Sequence, residues 1–225
     1  MILFIEPISN NIGMFVPAYP LPLMEVAGYV KANEPSVDLQ VISIPMDYGL
    51  PLTKAAKERI YNELFLDLFR LKPSAVGISC TAISQAEETV EFCQRIKAHD
   101  PGIFIFLGGY FPTIYHEEIF SRTSAVDVIV AGEGEIPALE IVRSVEKGEN
   151  PKKESTPNLV WQENGKLHYT PKDIRFDLKK KALSDLTLLK HPHAYDILPY
   201  AFSRGCPYRC NFCMEDYTRP LRREV

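Results

Sequence analysis

The run Ser203-Arg204-Gly205-Cys206-Pro207-Tyr208-Arg209-Cys210-Asn211-Phe212-Cys213 gathers three of the chain's five cysteines at C-x3-C-x2-C spacing. Spacing this close lets one loop fold three thiolates around a single metal centre. Iron–sulfur clusters are normally held by four thiolates. Three would leave one iron of a 4Fe-4S cluster open to a non-protein ligand. A zinc site instead prefers C-x2-4-C with a second, distant ligand pair. His191 and His193 could complete such a mixed site, although His-Pro-His is an awkward chelate and also reads as a solvated turn. The bacterial ferredoxin run C-x2-C-x2-C-x3-C-P does not occur in the sequence. Three unliganded thiols at this spacing would be an oxidation liability.

The cysteine run resembles the signature of the radical S-adenosylmethionine (SAM) enzymes. The resemblance implies that Cys206, Cys210 and Cys213 are cluster ligands. Phe212 stands where that family usually has an aromatic before the third cysteine, beside the cofactors, and Arg204-Gly205-Cys206-Pro207 matches a common entry into the loop. In that family the open iron binds the amino and carboxylate groups of SAM. An electron from an external donor then cleaves SAM to a 5′-deoxyadenosyl radical, which abstracts hydrogen from a small-molecule substrate.

Composition constrains the rest. The chain has 225 residues, a size for one or two domains, and a net charge of −4. That charge gives no bulk electrostatic case for nucleic acid or an anionic membrane surface. No apolar run approaches the roughly 18–20 residues of a membrane-spanning helix. Met1-Ile2-Leu3-Phe4-Ile5 lacks a basic leader and ends at Glu6-Pro7, so it does not read as a signal peptide. Clustered cysteines in odd number are not a disulfide framework, and a reducing cytoplasm is expected.

Ahead of the cysteines, apolar strands alternate with amphipathic helices. Residues 2–6, 37–45, 75–80, 103–107 and 126–130 read as strands. Leu23, Val26, Ala27 and Val30 mark a helix ending near Asn33. Thr53 is placed to cap a long helix through Leu71, and Ser84 with Glu87 forms a capping box for another. A short helix is expected over 113–120 and a longer one from Glu135 to about Lys147. Cys93 falls on an apolar helix face and Cys80 at a strand end, both as core or pocket residues. This alternation predicts a doubly wound, flavodoxin-like (Rossmann-like) α/β domain with a five-stranded parallel sheet over 1–148. Ligands of such sheets bind beyond the carboxyl ends of the strands. The loops there begin at Pro7, Pro45, Thr81, Gly108 and Gly132. Residues 149–196 read as a linker with a β-hairpin at Glu163-Asn164-Gly165, with Trp161 and Tyr169 packing across it. Lys179-Lys180-Lys181 reads as a solvated charge run. Residues 197–225 read as the first strand and cluster loop of a radical SAM barrel.

An α/β domain, a hairpin and then C-x3-C-x2-C resembles the radical SAM proteins that carry a cobalamin-binding domain in front of the barrel. Gly132-Glu133-Gly134-Glu135 looks like a turn frequent in that class, and Gly108-Gly109 like the glycine pair near the nucleotide tail of cobalamin. Ser79 or Thr81 stands where a hydroxyl contact is expected. The resemblance implies methyl transfer or related radical chemistry. The Asp-x-His-x-x-Gly motif that supplies a histidine to cobalt in some cobalamin domains is missing, and the first histidine in the chain is His99. Asn10, Asn11 and Tyr19 in the first loop are offered instead. The chain ends at Val225, whereas a barrel needs on the order of 200 residues. An amino-terminal piece of a larger enzyme is expected, inactive alone, with disorder or distorted geometry from about Tyr200. Two rivals remain: a stand-alone cobalamin module with a remnant cluster loop, and a methylthiotransferase. The latter would want three cysteines in the front domain, where only Cys80 and Cys93 occur.

Overall fold

A computed structural model describes residues 1–9, 18–171, 175–206, 208, 210–213 and 223–224. Asn10 and Asn11, and much of the segment after Cys213, lie outside the described residues.

Five parallel strands form the centre: β1 (Ile2–Glu6), β2 (Leu39–Ser43), β3 (Ala75–Ser79), β4 (Phe104–Gly108) and β5 (Val128–Val130). Their order, β2-β1-β3-β4-β5, is the flavodoxin-like one and reverses beside β1. The strands are short, apolar runs buried on both faces, as a sheet covered on both sides requires. Leu3, Ile5, Val76, Ile78, Ile105 and Leu107 face one core, against helices α3 (Lys54–Leu71), α4 (Ala86–His99), α5 (Tyr110–Ile114) and α6 (His116–Arg122). Ile2, Phe4, Ala75, Phe106, Val128 and Val130 face the other, against α1 (Leu21–Asn33) and α7 (Glu135–Glu146). The short helix α2 (Ile44–Asp47) continues directly from β2.

The sheet is wider than the sequence pattern implied. The hairpin strands β6 (Leu159–Glu163) and β7 (Lys166–Tyr169) add antiparallel to β5 and make seven strands. Leu159, Val160 and Trp161 are buried in succession, so β6 has apolar side chains for both cores, which is what an internal strand needs. Asn164 (φ 50°) and Gly165 (φ 74°) form the two-residue turn with positive φ at both positions. Across the ribbon, Trp161 stands opposite His168 and stacks on it, while Tyr169 stands opposite Val160 and meets the edge of His116. On the far edge, Lys190 N donates to Val41 O (3.2 Å), so residues 185–190 cover part of the open side of β2.

Thr53 caps α3, its hydroxyl accepting from Ala56 N (3.1 Å). Ser84 does not cap α4. Gln85 Oε1 accepts from Thr81 N (2.8 Å) and Ala82 N (3.1 Å), which winds 83–85 into a short 3-10 turn and delays the helix to Ala86. Ser84 Oγ instead shares a hydrogen bond with Ser9 Oγ (2.8 Å). The first strand expected within 197–225 is only Ser203–Arg204, which pairs antiparallel with Arg223–Glu224. Pro199 in that run has no N–H for a ladder.

Gly77 is flanked in register by Phe4 on β1 and Phe106 on β4. The two rings meet edge to face over it, with centroids 5.7 Å apart. A Cβ at Gly77 would lie 2.4 Å from the Phe106 ring. Gly77→Ala is expected to lose about 1–3 kcal/mol of stability through overpacking, read by urea denaturation. An unchanged midpoint would show that the two rings can part without cost.

Candidate functional site

The carboxyl ends of β3, β4 and β5 open into a cavity of about 260 Å³ on the α1/α7 side of the sheet. Phe4, Phe106 and Val130 give it an apolar floor, and Leu23 and Val26 of α1 close one wall. Ser79, Thr81, Gly108, Gly109, Gly132, Glu133 and Gly134 all line it. The residues nominated after β3, β4 and β5 are therefore brought together at one place. Phe212 is not among them; it is 87% exposed, in the turn where Cys213 N donates to Cys210 O (2.9 Å).

Two glycines make the rim possible. Gly109 has φ 104°, and a Cβ there would lie 2.4 Å from Cys80 O. Gly132 has φ 121°. Both conformations strongly favour glycine. The Thr113 hydroxyl joins the two turns, donating to Gly109 O (2.7 Å) and accepting from Gly132 N (3.1 Å). Nothing in its sequence context singled Thr113 out, because a threonine four residues beyond a glycine is ordinary.

The polar end of the cavity is a buried charge cluster. Arg204, only 9% exposed, reaches in from the segment that leads to Cys206. Its Nη1 donates to Glu133 Oε1 (3.2 Å), and its Nη2 to Glu25 Oε2 (2.6 Å) and to Glu135 Oε1. Burial by itself would push the guanidinium down. The Glu135 and Glu25 carboxylates more than reverse this, and Arg204 ends well above its ordinary range and charged. Lys181 Nζ lies 2.6 Å from Glu25 Oε1, its side chain buried, so Lys181 leaves the solvated run predicted for 179–181. Glu133 is held further by Phe176 N, which donates to Oε2 (2.6 Å), and by Asn158 Nδ2 on its carbonyl (3.3 Å). Sequence reasoning missed Glu25. The available signal was its isolation, as the only acidic residue of an otherwise apolar-faced α1. A buried charge of that kind demands a partner.

The thiols divide into two sets. Cys80 and Cys93 are buried, and burial pushes the Cys80 thiol up to about 11 and Cys93 higher still. Both are neutral core thiols. Cys206 and Cys213 are half-buried and Cys210 exposed, all free. Among the described residues, no group of three or more His, Cys, Asp or Glu side chains is arranged to hold a metal. His191 pairs with Asp47, with Nδ1 2.9 Å from Oδ1. Beside that pair, Glu6 at the end of β1 accepts from Ser43 Oγ (2.5 Å). Burial raises the Glu6 carboxyl, the Ser43 hydrogen bond pulls it back, and the Asp47 charge raises it further.

Comparison with known proteins places these observations. Residues 16–142 match the B12 binding domain family. Over 95% of its length the chain is 27% identical to an anaerobic magnesium-protoporphyrin IX monomethyl ester cyclase of Rubrivivax gelatinosus, covering 38% of that protein. Over 86% it is 26% identical to an uncharacterized methyltransferase of Pyrococcus horikoshii, covering 40% of it. Over 87% it is 22% identical to a hopanoid C-3 methylase of Methylococcus capsulatus, covering 38% of it. The chain thus spans well under half the length of these relatives. Among the described residues no helix is long and apolar enough to cross a membrane.

Removing Arg204 would leave buried carboxylates without their main cation. Breaking a buried ion pair from one side costs about 3–5 kcal/mol. Arg204→Met is expected to release the segment leading to Cys206, seen as lost hydrogen-exchange protection at Ser203 and Arg204 with the sheet still protected. Retained protection there would show that the carboxylates do not hold the segment. For Glu6 the folded chain keeps its proton to higher pH than the unfolded chain. Its stabilising contribution is complete below the ordinary value of 4.5 and is lost as pH rises through the raised folded value. The stability of Glu6→Gln relative to the native chain should therefore improve as pH rises above 4.5, in denaturant melts across pH. A difference independent of pH would contradict the raised value.

Proposed function

The chain belongs to the B12-binding domain family, and on that premise we propose that it is the front part of a cobalamin-dependent radical SAM enzyme. The observation that carries this reading is the Arg204 cluster. Carboxylates on the rim of the cavity hold the residue two places before Cys206, so the glycine turn after β5 and the entry to the cysteine loop lie against one another.

The donor chemistry fits both cofactors. Cys206, Cys210 and Cys213 would hold three irons of a 4Fe-4S cluster, leaving the fourth for SAM. Ser79, Thr81 and the Gly108-Gly109 and Gly132-Gly134 turns would receive cobalamin, with backbone able to approach it closely. Among the described residues no histidine lines the cavity, so these elements would hold a corrinoid without offering an imidazole. When bound, the cluster, SAM and cobalamin supply one-electron cleavage, hydrogen abstraction and a methyl or electron carrier. The chain's own residues bind and orient: the glycine turns form the rim, Phe4 and Phe106 exclude water from the floor, and Arg204 fixes the entry to the cysteine loop.

The relatives include an uncharacterized methyltransferase, a hopanoid methylase and a cyclase of a porphyrin ester. Methyl transfer, or a related radical modification of a small molecule, is the reaction class we propose. An external donor would supply the electron, and a reducing cytoplasm suits the three clustered thiols.

Anaerobic absorbance titration of the chain with hydroxocobalamin is expected to saturate at about one equivalent with a histidine-free, base-off spectrum. Anaerobic loading with iron and sulfide should give a cluster that Cys206→Ala, Cys210→Ala or Cys213→Ala each abolishes. Absence of corrinoid binding well above micromolar concentration would remove the cobalamin reading, and a cluster indifferent to all three substitutions would remove the ligand assignment.

A further inference from the structure

Between the bridge at Ile197 and the short strand at Ser203 the chain has little to hold it. Tyr19 N donates to Ile197 O (3.2 Å) at one end. Among the described residues, no backbone–backbone hydrogen bond involves 198–201. Leu198, Tyr200 and Phe202 expose much of their apolar surface, so packing does not fix the run either. Yet this run delivers Arg204 to its carboxylates and leads to Cys206.

One side chain from outside the run takes hold of it. Lys181 Nζ donates to Ala201 O (2.9 Å) and lies 4.2 Å from the centre of the Tyr200 ring. A cation so close to an aromatic face is attracted by the ring quadrupole. Nζ also stands 2.6 Å from Glu25 Oε1, a contact of opposite charges that is not aligned as a hydrogen bond. The two side chains are only 6% and 5% exposed. The other Glu25 oxygen, Oε2, accepts from Arg204 Nη2 (2.6 Å). Glu25 thus sets two cations side by side: one grips the run at Tyr200 and Ala201, and the other belongs to the run itself. Lys179 and Lys180, from the same stretch of three lysines, are exposed. We propose that Lys181 is a positioning residue for the cysteine loop, holding the backbone at Ala201 so that Arg204 reaches its carboxylates and Cys206 is presented at a fixed place. The consequence for a cluster rests on the cluster reading given above; the hold on the backbone does not.

Two measurements test this, the first free of any cofactor. In the full chain without iron, alkylation by iodoacetamide is followed by mass spectrometry at half-buried Cys206 and at exposed Cys210, the internal reference. Lys181→Met is expected to raise the rate at Cys206 relative to Cys210 about 10-fold, the size of one hydrogen bond to a charged group. Lys179→Met and Lys180→Met remove the same charge from exposed positions and should leave the ratio unchanged. After anaerobic loading with iron and sulfide, the cluster of Lys181→Met should be lost to a chelator about 10-fold faster than the native one, as for residues that support metal ligands from behind. The electron paramagnetic resonance signal of the reduced cluster should shift, which general destabilisation would not cause. Should Lys181→Met fail to fold, Lys181→Gln, which removes the charge but keeps an amide donor, replaces it under the same criteria. An unchanged ratio of Cys206 to Cys210 overturns the proposal. So does an equal rise in Lys179→Met, which would assign the effect to bulk charge. A faster Cys206 with an unaltered cluster overturns the role at the cluster and leaves Lys181 a structural tie. A native chain that takes up no cluster removes the cluster reading, and the thiol ratio then decides alone whether Lys181 places Cys206.

Discussion

One guanidinium joins parts of the chain that the sequence keeps far apart. Glu25 comes from α1, Glu133 from the turn after β5, Glu135 from the start of α7, and Arg204 from the segment after the hairpin. A lysine ammonium is a point charge and could not present the planar fork that meets three carboxylates at once. Burying these charges is costly, and a well-packed apolar replacement would often be at least as stable. Such a cluster is better explained by what it fixes. Here it fixes the approach of the cysteine-bearing segment to the rim of the cavity, which an apolar contact would do with less directional control.

The parallel sheet makes that meeting place available. Every strand from β1 to β5 points its carboxyl end the same way, so five loops collect on one edge of the molecule. Short strands keep the loops close to the core: β5 has only three residues, and the turn of Gly132 follows at once. The hairpin then seals the side of β5 and carries the chain back towards the cavity. Asn158 on the way into β6 and Phe176 beyond β7 both donate to Glu133. Widening the sheet and building the polar end of the cavity are thus parts of one chain path.

The central strands and main helices were legible because each is a local pattern: short apolar runs for β1 to β5, a capping threonine for α3, an Asn-Gly turn for the hairpin. The glycine turns were legible as places needing unusual backbone freedom. What could not be read was pairing across long separations. Glu25 meets a residue 179 positions away, and no periodicity reports that. Lys181 looked like one lysine in a run of three, and only its distance to Glu25 distinguishes it. The Ser84 cap failed for a related reason. Capping patterns are local, but Gln85 found two backbone donors in its own loop, and Ser84 found Ser9 across the fold.

The same logic explains why the cavity needs both glycines and charges. At Gly109 the backbone passes so close to the Cys80 carbonyl that a side chain would collide, and this contact draws the ends of β3 and β4 together. Thr113 then transmits that position to Gly132 through a single hydroxyl. Gly132 leads directly into Glu133, whose carboxylate accepts from Arg204. Steric approach at one rim, a hydroxyl bridge and an ion pair thus form a continuous chain of contacts from β3 to the entry of the cysteine loop. These contacts tie the rim of the cavity to the segment that leads to Cys206.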